Sequence, residues 1–158
     1  MSYKQWGALA KLLTDIRQIA INFTPTSAGH DQQDQIVADR RRILLLVKNF
    51  KRQLIGPLGQ STTHQVIVPL IFALDEWLIK QYFVNRYNQW PLLQRSIFKT
   101  TNGGRLFYRR LDGLLIQQNV PRFVYQIYYF WLKSGFCGMY YDAPQTRQQY
   151  LRKLSSLL

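Results

Sequence analysis

Apolar residues recur every three or four positions from the start of the chain. Trp6, Leu9, Ala10, Leu13, Ile16, Ala20 and Phe23 share one helical face, with Ser2 in place as an N-cap. The stretch TPTSAGH (24–30) breaks the period with Pro and Gly. A second stripe of Ile36, Ile43, Val47, Phe50 and Leu54 predicts a helix that starts at Asp31 and stops at GPLG (56–59). A third helix carries VPLIFALDEWLIKQYF (68–83), with Pro69 placed in its first turn, where a missing N–H is tolerated. NRYNQWP (85–91) ends it, a short helix covers 91–99, and TTNGG (100–104) interrupts again. The next helix runs over 104–118 and turns Leu106, Phe107, Leu111, Leu114 and Leu115 inward. Another opens at Pro121, a good first residue, and ends near Gly135. The last follows Pro144 and carries Tyr150, Leu151, Leu154 and Leu158. No alternating pattern is long enough for a strand and no repeat is visible. The expected class is all-α, about seven helices joined by short loops.

Composition adds scale and sign. A chain of 158 residues builds one domain with a real core, or two small lobes packed together. Hydrophobic content of 47% and aromatic content of 15% exclude a disordered tail. The net charge is +13, and it is uneven. Residues 77–158 hold 12 Lys/Arg against 2 acids, or +10, whereas residues 1–76 hold 9 against 6, or +3. Such a field attracts nucleic acid, anionic headgroups and acidic protein surfaces without choosing among them. Cys137 is the only cysteine, so no internal disulfide forms and a reducing compartment is favoured. The N-terminus lacks the apolar core of a signal peptide. No uncharged apolar run reaches the ~18 residues of a membrane span, so the chain is expected to be soluble and cytoplasmic.

Candidate chemistry is sparse. His30 and His64 are the only histidines and neither stands near another ligand-type residue, so no zinc pattern exists. Cys137 in GFCGMYY reads first as a structural thiol at a helix end. NGGR (102–105) lacks the spacing and the Lys-Ser/Thr of a phosphate loop and reads as a turn feeding a helix. Arg40–Arg42 cover most of a helix circumference, which suits a solvated face better than a nucleic-acid motif.

The exception is Asp75-Glu76, set in an apolar run that holds the only glutamate of the chain. Adjacent helical residues diverge by ~100°, so these carboxylates do not converge on one bond as a catalytic pair would. Asp75 shares a stripe with Ile71, Leu78 and Tyr82, and Glu76 with Phe72, Ile79 and Phe83. Buried carboxylates need donors. A structural lock, a partner-binding cleft and catalysis are the three readings, taken in that order.

The surrounding motifs resemble a known family. FALDEWLI is similar to the aLDE signature of the DotU (IcmH) and TssL family of type VI and type IVB secretion systems. Trp90 with Leu92-Leu93 resembles its W…sLL segment, and IFKTTNGGRLFYRRLDGLL its glycine-pair helix, through Gly103, Gly104, Phe107, Leu111 and Leu114. FVYQIYYFWLKSGFCGMYY resembles its GF.GrY segment through Gly135, Phe136, Gly138 and Tyr140, and RQQYLRKLSSLL its closing helix. The resemblance covers about 5–158, with the firm motifs inside 70–155. Two departures stand out: Cys137 and Arg105 occupy positions where the family favours Glu.

The resemblance implies one all-α cytoplasmic domain over 1–158, two three-helix bundles set like a hook with a cleft between them. It implies a C-terminal transmembrane anchor beyond Leu158, and a place at the cytoplasmic face of the bacterial inner membrane beside anionic lipid. The implied partners are an IcmF/TssM-like membrane protein and baseplate subunits; whether the domain also self-associates is left open by the sequence. It implies no enzyme activity, no cofactor, no metal and no nucleic acid. On this reading Asp75 and Glu76 brace the lobes. One accepts N–H bonds from the helix starting at Gly103-Gly104, and the other pairs with Arg105, Arg109 or Arg110. The alternative is a basic helical nucleic-acid-binding module, for which Arg40–Arg42 and the aromatics of RLFYRRL speak.

Overall fold

The computed structural model describes residues 1–23, 29–83 and 90–158. Helix α1 (Tyr3–Ile21) opens on a full capping box: the Ser2 hydroxyl accepts from the Gln5 N–H, and the Ser2 N–H donates to Gln5 Oε1 at 2.7 Å. Its core face is Leu9, Leu12, Ile16, Ile19 and Ala20. Leu12 and Ile19 thus replace the expected Ala10, which is exposed, and Leu13, which is half-buried.

Helix α2 (Gly29–Gln81) is two arms joined at Gly59, whose φ of 78° and ψ of 169° no helix contains. The break falls where GPLG predicts it, because glycine adopts positive φ without a Cβ penalty. Every residue of the expected first-arm stripe is buried, from Ile36 to Leu54. The second arm begins at the break itself, which corrects the placement of Pro69. Pro69 sits inside the helix, where its ring removes an N–H that would bond the Gln65 carbonyl. Packing overrides that loss. Every position from Val66 to Asp75 is buried, so this arm is apolar all round and serves as the central post of the domain.

The other elements assemble on that post. Helices α3 (Leu93–Phe98), α4 (Gly103–Ile116) and α5 (Arg122–Lys133) all touch α2, as α1 does. A 3-10 turn (Gly138–Tyr140) packs on α4, and α6 (Pro144–Ser155) closes against α5 and that turn. No strand occurs among the described residues. The core is one contiguous cluster, in which fully buried Ile71 and Leu78 each contribute roughly 2–3 kcal/mol. Aromatic rings fill its far end: Phe107 lies 4.2 Å from Phe136 and 4.8 Å from Tyr128, and Tyr108 lies 4.6 Å from Tyr140. Phenols tie the helices together at 2.9 Å from Tyr125 to the Leu114 carbonyl and 2.7 Å from Tyr150 to Asp112.

Candidate functional site

Asp75 and Glu76 leave the central post in different directions. The Asp75 stripe of Ile71, Leu78 and Tyr82 is wholly buried. The stripe of Glu76 is buried only at Phe72, since Ile79 and Phe83 are exposed, and Glu76 is correspondingly half-buried.

Helix α3 starts at W-P-L, which offers no local capping side chain, and its N-cap residue Leu92 makes no side-chain cap bond. Asp75 supplies the cap from another helix. Its Oδ1 accepts from the Leu93 N–H at 2.8 Å and from Trp90 Nε1 at 3.0 Å. Its Oδ2 accepts from the Gln94 N–H at 2.9 Å and from Gln94 Nε2 at 3.0 Å. The amide of Gln94, thus oriented, presents Oε1 to the Gly103 N–H at 2.7 Å and caps α4, whose own Asn102 does not. One carboxylate therefore fixes two helix starts in series. Gly103 has to be glycine here: a Cβ would meet Phe72 Cδ1 at 2.5 Å and Gln94 Oε1 at 2.6 Å.

Glu76 reaches the other side of α4. Its oxygens accept from the Cys137 N–H at 2.9 Å and the Gly138 N–H at 2.7 Å. Gly135 (φ 103°) and Gly138 (φ 57°) shape that loop with left-handed backbone. Gly138 rests on the first turn of α4, so that a Cβ on it would lie 2.6 Å from the Gly104 carbonyl oxygen. Phe136 anchors the loop in the aromatic cluster, the Tyr108 phenol donates to the Cys137 carbonyl, and Arg147 donates to the Tyr140 carbonyl. Asp75 and Glu76 thus meet at the N-terminus of α4 by separate routes.

Two expectations are corrected by this geometry. The helix at Gly103-Gly104 is reached through Gln94 and not by a carboxylate directly. The expected ion pair does not form. Arg105, Arg109 and Arg110 are exposed, and Lys11–Asp15 is the sole ion pair among the described residues. Neutral N–H donors satisfy a carboxylate without the cost of drying a guanidinium.

A second bracket, unforeseen from the sequence, holds the same segment from outside. Arg40 donates to the Pro91 carbonyl at 2.7 Å, the Leu92 carbonyl at 3.0 Å and Ser96 Oγ at 2.7 Å. Its neighbours Arg41 and Arg42 are exposed, as a solvated face requires. Next to it buried Asp39 accepts from Gln35 Nε2 and the Tyr82 phenol, both at 2.7 Å, and Tyr82 stacks on Trp90 at 5.0 Å. Burial first, then the Asp39 contact, pushes the Tyr82 phenol well above its usual range.

The remaining reactive groups stand apart. Cys137 donates its thiol to the Gly135 carbonyl. Partial burial, and then Arg110 and Lys51, hold His64 below the usual imidazole range, while the side chain of His30 lies outside the described residues. No cluster of three or more His, Cys, Asp or Glu that could hold a metal occurs among the described residues. Phe107 and Tyr108 are fully buried, so they are unavailable to stack on nucleic-acid bases. Beside Glu76, a cleft of about 280 Å³ opens between α1, the second arm of α2 and α5.

Comparison with known proteins agrees with this architecture. The family model described as type VI secretion system protein DotU matches residues 8–158. Among solved structures, DotU from Francisella novicida superposes with a TM-score of 0.75 at 20% identity, covering 98% of this chain and 97% of that one, a likeness of fold. No curated protein matches. With the family model spanning the glycine pair, both carboxylates and the closing helix, the chain belongs to the DotU family of type VI secretion system proteins.

Proposed function

We propose that the domain is a non-enzymatic scaffold of a secretion-system membrane complex, holding an IcmF/TssM-like inner-membrane partner and cytoplasmic baseplate subunits at the cytoplasmic face of the membrane. Membership of the DotU family supports the secretion role. The use of Asp75 and Glu76 carries the non-enzymatic part of the reading. Both acids are engaged by internal N–H donors, which leaves them as braces of the α4 start and not as free acid or base. Twelve cations against two acids over 77–158 suit a surface facing anionic lipid. No described helix is long and apolar enough to cross a membrane.

Co-expression with the cytoplasmic fragment of the IcmF/TssM-like protein tests this directly. A stable co-purifying complex at physiological salt is expected. Failure to bind either that fragment or baseplate subunits, together with steeply salt-dependent binding to DNA or RNA, would replace the scaffold with the nucleic-acid reading.

A further inference from the structure

The cleft beside Glu76 has a composition that its position in the core does not explain. Leu13 and Ile16 of α1, Ala73 of α2 and Phe136 form its apolar floor. Trp77 and Phe130, 37% and 36% exposed, stand in its walls as large aromatics left open to solvent. Trp131 in the same lining is buried. Arg17 and Lys80, both exposed, are cations of the lining, and neither pairs with an acid among the described residues. Glu76, the only acid there, already accepts two backbone N–H bonds. The lining thus has cations in excess of acids around an apolar floor.

We infer that this cleft docks an acidic segment of a partner protein, which seats one large apolar side chain between Trp77 and Phe130 and sets carboxylates against Arg17 and Lys80. The inference rests on the scaffold reading and adds the chemistry of the partner. Charge complementarity selects the occupant. Two cations with no acidic partner among the described residues, beside aromatic walls, match a carboxylate-apolar-carboxylate pattern, and desolvation on docking strengthens both pairs. The cleft, about 280 Å³ and open to solvent, has room for a large anchor side chain. Two cations are too few to track a polyphosphate backbone, and the anchor pocket gives it nothing to contact.

A display library of random 16-residue peptides (about four helical turns) is the probe, selected on the wild-type domain. The best binder is then titrated against Arg17→Glu, Lys80→Glu and Trp77→Ala, all at exposed or partly exposed positions that leave the core intact. Enriched sequences should place Asp or Glu around Trp, Phe or Leu. Affinity should fall about tenfold or more in each variant, and the same peptide with its acids changed to Lys should bind the Lys80→Glu domain better than the wild type. Selection of basic or neutral sequences, or binding indifferent to all three substitutions, overturns the acidic occupant. Binding of a 20-mer oligonucleotide that Arg17→Glu abolishes, with no acidic peptide enriched, overturns it in favour of nucleic acid. Co-purification of these variants with the membrane partner is scored separately. A domain that assembles normally but rejects acidic peptides sinks this inference alone. One that binds acidic peptides but never assembles sinks only the scaffold reading.

Discussion

Gln94 donates its side-chain N–H to Asp75 at 3.0 Å and receives the Gly103 N–H at 2.7 Å on its other end. The amide is a relay: Asp75 sets its orientation, and that orientation presents an acceptor to α4. Gln94→Met keeps the volume and deletes the relay. It should cost about 2 kcal/mol in denaturant unfolding, since the buried Gly103 N–H loses its acceptor. In a double-mutant cycle with Asp75→Asn the two losses should be strongly non-additive, by about 1 kcal/mol or more. Additive losses would mean that the two residues act independently.

The glycines separate into two kinds. Gly103→Ala drives a methyl into Phe72 and Gln94, and Gly138→Ala strains a left-handed residue against the Gly104 carbonyl. Each should lower stability by about 2 kcal/mol or more. Gly7 and Gly113, in helix interiors with nothing within 4 Å, should instead gain up to about 1 kcal/mol as Ala. Thermal melts of the four variants check the contrast.

Of the three consecutive arginines, one is structural. Arg40→Ala strips two carbonyls and Ser96 of their donor and should cost about 2 kcal/mol. Arg41→Ala, on the exposed face, should stay within about 0.5 kcal/mol of wild type. Equal effects at both positions would reduce Arg40 to one more surface cation.

Alkali reads the phenols. Burial above all pushes Tyr82, Tyr108, Tyr128 and Tyr150 above the usual tyrosine range, with Asp39 assisting at Tyr82 and Asp112 at Tyr150. The folded state keeps protons that the unfolded state releases above pH ~10. These groups therefore contribute stability that is complete below that pH and is lost as pH rises beyond it. The phenolate absorbance of the four should appear together with the loss of helical circular dichroism. Ionisation that completes while the helices persist would contradict their burial.

Periodicity made the helices legible because each buries one stripe, and the first arm of α2 shows its full stripe as expected. The same logic misplaced Pro69, since an arm buried on all sides has no stripe to locate its start. The acid pair announced itself as charge in apolar surroundings, but its partners did not. Arginines looked obvious, whereas the donors are backbone N–H groups and the side chains of Trp90 and Gln94, and backbone donors leave no mark in a sequence. One signal was available. W-P-L-L-Q starts a helix without a capping residue, which demands a cap from elsewhere in the fold.

Denaturant unfolding of Asp75→Ala probes the brace at its root, because the substitution orphans N–H groups of Leu93 and Gln94 and the indole of Trp90 at once. A loss of about 3 kcal/mol, with the variant still helical, is the predicted result. Unchanged stability accompanied by loss of partner capture alone would show that the carboxylate serves an interface and braces nothing.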